Sequence, residues 1–194
     1  MALITGGDNR NNAAVDSTFR LQTRSISRTD GVAAGIEGDA FFIVTPIINL
    51  TTATESLGWV YQNDEDRDLI IISTSISSSL SVGATDQVME IRRVSGIGLT
   101  ASGGAGFPMI TPNKRFGSND VLANTSEVGQ EGASLSTPQE TSPAFTPTGQ
   151  SVVDPQFFVI PKGVSFGELV TPPAGNTSID ITFVVECYLR EIVE

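Results

Sequence analysis

Histidine is absent from this chain and cysteine occurs once, at Cys187. Without an imidazole there is no Ser-His-Asp or Cys-His nucleophile system, no histidine-ligated zinc, and no side chain that ordinarily titrates near neutral pH. A single thiol excludes an intramolecular disulfide and a Cys-rich metal site. Cys187 reads as a small apolar residue in a strand rather than as a reactive group. Enzymatic chemistry would have to rest on carboxylates, Ser/Lys, Arg or a bound cofactor, and the expectation is a protein that is not an enzyme and holds no cofactor or metal. Long apolar runs are missing too. The longest, such as Leu69-Ile70-Ile71-Ile72, are strand length, where a membrane-spanning helix needs about 20 apolar residues. The start, Met1-Ala2-Leu3-Ile4-Thr5-Gly6-Gly7-Asp8, has no basic segment followed by an apolar stretch, so no secretory signal peptide is expected. In that light the triplets at Asn49, Asn124 and Asn176 are not expected to be glycosylated.

Basic charge is scarce and unevenly placed. Residues 1–30 hold four arginines against three aspartates, net +1, while the remainder holds seven basic and nineteen acidic side chains, net −12. A body this acidic is repelled by phosphate backbones, so nucleic acid is not an expected partner. What is present in quantity is apolar residue content, 39% over 194 residues, enough for one domain with a substantial core.

Period-2 patterning dominates and no convincing amphipathic helix stands out. The clearest strand ends the chain: Ile179, Ile181, Phe183, Val185, Cys187 and Leu189 share one face, opposite Asp180, Thr182, Val184, Glu186, Tyr188 and Arg190. Further strands are expected at 39–50, 57–63, 67–80, 86–95, 157–161 and 164–171, each bounded by turn residues. Seven or eight strands of this kind predict an all-β fold, an antiparallel β-sandwich or jelly roll spanning 31–194. Residues 1–30 are expected to form an extended N-terminal arm. Within it Phe19, Leu21, Thr23 and Ser25 alternate with Arg20, Gln22 and Arg24, and Arg28 continues the basic side. Two readings stand open: an arm that reaches a neighbouring subunit, or the first strand of the same sheet. Phe19, Arg20, Leu21, Arg24 and Arg28 are the candidate partner interface. Between 96 and 154 the composition turns to Gly, Ser, Thr, Pro and Asn, which predicts a long surface excursion anchored by scattered apolar residues.

The remaining motifs each carry two readings. Asp64, Asp66 and Asp68 open like a calcium loop, but Leu69 stands where that loop requires Gly and Ser75 where it requires a bidentate Glu; a solvated turn fits better. Ile160-Pro161-Lys162-Gly163 and Thr171-Pro172-Pro173-Ala174-Gly175-Asn176-Thr177-Ser178 read as connections between strands, with Lys162 a turn residue rather than a catalytic amine. The Gly-rich stretches lack the Gly-Lys-Ser/Thr of a phosphate loop. Trp59 and Tyr61 alternate along one strand, either as a sugar-stacking platform or as core packing.

Taken in order, Gly38-Asp39-Ala40-Phe41-Phe42-Ile43, Asn63-Asp64-Glu65-Asp66-Arg67-Asp68-Leu69-Ile70-Ile71, Arg115-Phe116-Gly117-Ser118-Asn119, Ile160-Pro161-Lys162-Gly163-Val164-Ser165-Phe166-Gly167 and Thr171-Pro172-Pro173-Ala174-Gly175-Asn176-Thr177-Ser178 resemble a family of tailed-bacteriophage virion structural proteins. The resemblance runs from about residue 38 to the C-terminus. Residues 1–30 lie outside it, and 127–150 is richer in Pro and Ser than the family pattern. It implies a particle component and brings no catalytic residues with it. Composition extends that to a capsid decoration or cement protein, expected as a homo-oligomer, a trimer, bound to the major capsid protein on the outside of the virion and free in the host cytoplasm before assembly. The alternative is a receptor- or glycan-binding module on the head or tail.

Overall fold

A computed structural model of the chain describes residues 3–5, 12–15, 21–23, 30–99, 101–102, 109, 111–115, 117–122, 124–129, 131–136 and 139–190. The chain divides into two units, Met1–Ala33 and Ala34–Glu194. The first holds three short strands, β1 (Leu3–Thr5), β2 (Asn12–Val15) and β3 (Leu21–Thr23), paired antiparallel in that order. Leu21 faces Val15 across the β2–β3 ladder. The described part of 15–28, Val15 and Leu21–Thr23, forms a pairing between near neighbours in sequence, which costs little loop-closure entropy, and the rest of 15–28 lies outside the described residues.

A helix, α1 (Asp30–Glu37), follows, where the sequence pattern showed none. Two glycines and eight residues give it little intrinsic stability. Its second half is held by contact, since Ala34 packs with Ile70 and Tyr188. Gly38, at φ +92°, ends it, and the Gly38 and Asp39 amides both donate to the Ala34 carbonyl.

The second unit is built from β4 (Ala40–Val44), β5 (Ile48–Leu50), β6 (Ser56–Asn63), β7 (Asp68–Ser78), β8 (Val88–Ile97), β9 (Ala101–Ser102), β10 (Asn124–Val128), β11 (Ser134–Leu135), β12 (Gln139–Pro147), β13 (Ser151–Ile160), β14 (Val164–Thr171) and β15 (Ile179–Arg190). The expected strand 39–50 is split. Pro46 has no amide hydrogen to pair, so the ladder lapses there, and β4 and β5 each resume on β15. One sheet runs β10-β6-β14-β8-β12 and the other β13-β7-β15-β4, every pairing antiparallel. With β4 and β5 counted as one interrupted strand, and β9, β10 and β11 set aside, successive strands cross from one sheet to the other except at β8–β12, where the chain stays in its sheet. Each four-strand layer then reads in jelly-roll order, two interleaved Greek keys.

Alternation decides what lies between the layers. Trp59, Tyr61, Phe166, Met89 and Ile91 point inward from one sheet and meet Ile71, Ile76, Phe183, Val185 and Cys187 from the other. Phe166 sits at the centre, its ring 5.7 Å from Trp59 and 5.3 Å from Phe158. The outer faces are partly covered as well. Leu57, Val60, Val94 and Leu169 on the outside of the first sheet pack under Ala133, Leu99, Ala101 and Leu135. The segment 96–154 thus lies partly over the first sheet and also supplies β10, β12 and the start of β13. Its backbone hydrogen bonds account for the position: Leu57 N donates to Ala133 O at 2.8 Å and Gly129 N to Gly58 O at 2.9 Å. No described helix is long and apolar enough to cross a membrane.

Candidate functional site

Of the five candidate interface residues, Phe19, Arg20, Arg24 and Arg28 lie outside the described residues, and Leu21 opens β3. The structure does bring together a set of charged groups that sequence reading missed. Glu168 on β14 stands opposite Trp59 on β6 and Arg93 on β8, so all three side chains share the inner face of their sheet. The Trp59 indole Nε1 donates to Glu168 Oε2 at 3.0 Å, and Arg93 Nε donates to Glu168 Oε1 at 3.4 Å. From the facing sheet, Asp154 on β13 accepts from Arg93 Nη2. With its amide oxygen toward the guanidinium, Gln156 accepts from Arg93 Nη2 at 3.0 Å and from Nε at 2.8 Å.

Glu168 is fully buried and the Arg93 side chain is 12% exposed. Burial pushes the Glu168 carboxyl above the ordinary range, against the opposing pull of Trp59, Arg93 and Gln156. A buried charge without partners would be untenable, and here the partners come from β6, β8, β13 and β14. The arrangement acts as a clasp: β6, β8 and β14 of one layer hold β13, the edge strand of the other. It also turns the carboxylate of Asp154 inward. The sequence signal was there in phase. Arg93 and Glu168 occupy inward positions of otherwise apolar strands, an opposite-charge pair on the core side of two alternating patterns.

The acidic run at 63–68 is the β6–β7 turn, organised by the buried Asn63. Asn63 Nδ2 donates to Arg67 O at 2.9 Å and Ile160 O at 2.8 Å, while its Oδ1 accepts from the Glu65 amide at 3.1 Å. The carboxylates face separate partners. Asp64 accepts from Gln62, Asp66 pairs with Lys162, and Asp68 lies 3.5 Å from Arg190. Lys162 hydrogen-bonds Asp66 and holds its carboxyl below the usual range; the same bond raises the Lys162 ammonium. Lys162 thus sits in the turn before β14, where Gly163 adopts φ +77°. In the β14–β15 connection Gly175 has φ +82° and Asn176 is buried, its Nδ2 donating to Leu50 O and Thr52 O and its Oδ1 accepting from Ser81 Oγ at 2.6 Å.

Trp59 and Tyr61 are core residues, 0% and 1% exposed. That corrects the sugar-platform reading: neither ring face can reach a ligand while the sandwich is closed. Cys187 is buried at the centre of β15, its thiol 3.6 Å from Phe41 O and its pKa raised by desolvation. What the surface does present is large apolar side chains on strands and loops, among them Ile97 at 86%, Ile47 at 73%, Phe145 at 69%, Val121 at 68% and Phe157 at 67%. No protein-family model matches the chain, and no curated protein matches it.

Proposed function

We propose that the chain is a structural protein of a tailed-bacteriophage particle, a decoration or cement protein that binds the outer face of the major capsid protein shell and reinforces it. The observation that carries this reading is the contrast between its charges and its apolar surface. Many described acids are taken up by partners within the same body: Asp39 by Arg67, Glu55 by Arg92, Glu186 by Lys114, and Glu168 with Asp154 by Arg93. Isoleucine, phenylalanine and valine side chains are meanwhile left in water. A β-sandwich surface of this kind adheres by apolar contact. The resemblance of residues 38 to 194 to virion proteins supplies the particle, and a net charge of −11 suits a position away from packaged DNA. Three linked copies, each contacting the shell weakly, would attach tightly through effective concentration.

The test is reconstitution. Purified chain is mixed with heads that lack it, and both co-sedimentation and the temperature of DNA release are measured. Binding at micromolar concentration together with a higher release temperature is expected. Heads that bind none of it, or bind it and release DNA at an unchanged temperature, would remove the proposal.

A further inference from the structure

We infer that the outward face of β13 is the surface through which copies of this chain associate with one another. This deepens the oligomer of the proposed function by naming the face its subunits share, yet the argument uses nothing about a particle. Among the described residues β13 is an edge strand, paired with β7 alone. Its ten residues alternate cleanly, and Val153, Pro155, Phe157 and Val159 all point away from the core and are exposed, Val153 at 60% and Phe157 at 67%. Edges of this length and character are normally blunted by charge, proline or a covering segment. The β4 edge is covered, because Phe42 N donates to Pro112 O and Lys114 N to Ala40 O. The β12 edge carries Pro143 and Pro147. β13 has Pro155 and one bulge, between Pro155 and Phe158, which leaves paired stretches on either side of it.

Charge selects the occupant. Two copies that each carry a formal charge of −11 repel wherever acidic faces meet, and approach at least cost where no charge stands outward. From Pro143 to Ile160 the only charged residue is Asp154, and the interior clasp holds its carboxylate against Arg93. The acids an unrelated basic partner would meet here are already paired, Asp154 with Arg93 and Glu186, beside Ser73, with Lys114, so a second copy of the same chain fits the strip better. The floor beside it is small and level. Ser73 and Ser75 on β7 lie opposite Pro155 and Val153, so Phe157 and Val153 of a neighbour can seat against the strip without a clash. A strand of ten residues is about 33 Å long. With its neighbour it offers a few hundred Å² per copy, the scale of a small, reversible interface.

The experiment is sedimentation equilibrium of the full chain from about 1 to 200 µM, with far- and near-ultraviolet circular dichroism as the check on folding. The wild-type mass should rise above that of one chain with concentration. Phe157→Glu and, independently, Val153→Lys should each remain at the mass of one chain with unchanged spectra. Ile97→Glu, at a more exposed position off the strip, should keep the wild-type behaviour. If Phe157→Glu loses its folded spectrum, Val153→Lys decides. A wild-type chain that stays single across the range, or a folded strip variant with the wild-type mass, overturns the inference. Head binding reads the other proposal separately: an oligomer that ignores heads leaves this one standing, and a single chain that binds heads does the reverse.

Discussion

Glu168 is where the interior of the sandwich departs from hydrocarbon, and its energetics follow from where its proton sits. Its carboxyl is raised by burial, so the folded chain binds that proton more tightly than the unfolded chain. Its contribution to stability is then fully present below the unfolded value, about 4.3, and is lost as pH rises through the folded one. Glu168→Gln keeps an oxygen to accept from Trp59 Nε1 and removes the titration. As pH rises above the unfolded value the thermal midpoint of the variant should fall less than that of the wild type; parallel curves would show that Glu168 does not govern that slope. Asn176 makes a different case, a neutral side chain that satisfies three groups on two other loops. Asn176→Ala leaves those groups without it and should cost about 2–4 kcal/mol in denaturant unfolding. Neither role could be read from residue type. An Asn after Gly reads as a turn, and a Glu between Phe166 and Leu169 reads as an edge, until the register shows which face each occupies.

Strands carried by their own alternation were legible, and strands imposed by a partner were not. β6, β14 and β15 show apolar residues in phase and were expected within a residue or two. β10 and β12 lie in a stretch of Ser, Thr, Glu and Pro that shows no alternating apolar face; they are strands because β6 and β8 offer them a ladder. α1 was missed for the same reason, being stabilised by the sheet it rests on. Two glycines separate the central from the applied elements. A Cβ at Gly167 would lie 2.3 Å from Trp59 O, and one at Gly129 would lie 1.5 Å from Leu57 O. Gly167→Ala strains the middle of a five-stranded sheet and should destabilise the whole domain by about 2–4 kcal/mol, read as a lower denaturant midpoint. Gly129→Ala should instead lift the overlying segment. Limited proteolysis is then expected to cut within 120–136 before the global transition, and a variant as resistant there as the wild type would contradict that.

At the scale of the molecule, a net charge of −11 works against compactness, while the internal ion pairs recover part of the cost. Salt separates the two. Raising ionic strength from about 0.01 to 0.15 M shortens the screening length from about 30 to 8 Å, which weakens long-range repulsion more than the contact pairs. The thermal midpoint should rise over that interval; a fall would mean that the exposed pairs, such as Asp66 with Lys162, outweigh the repulsion. The jelly-roll order also bears on how the chain is made. β14 sits between β6 and β8, and β15 between β7 and β4, so each layer is completed by a strand that follows all its other members in the chain. Until they emerge from the ribosome, the earlier strands border open gaps lined with isoleucine and phenylalanine. Folding of both layers therefore waits for β14 and β15, and a product terminated before Ile179 would collapse into aggregates instead of yielding a smaller working domain.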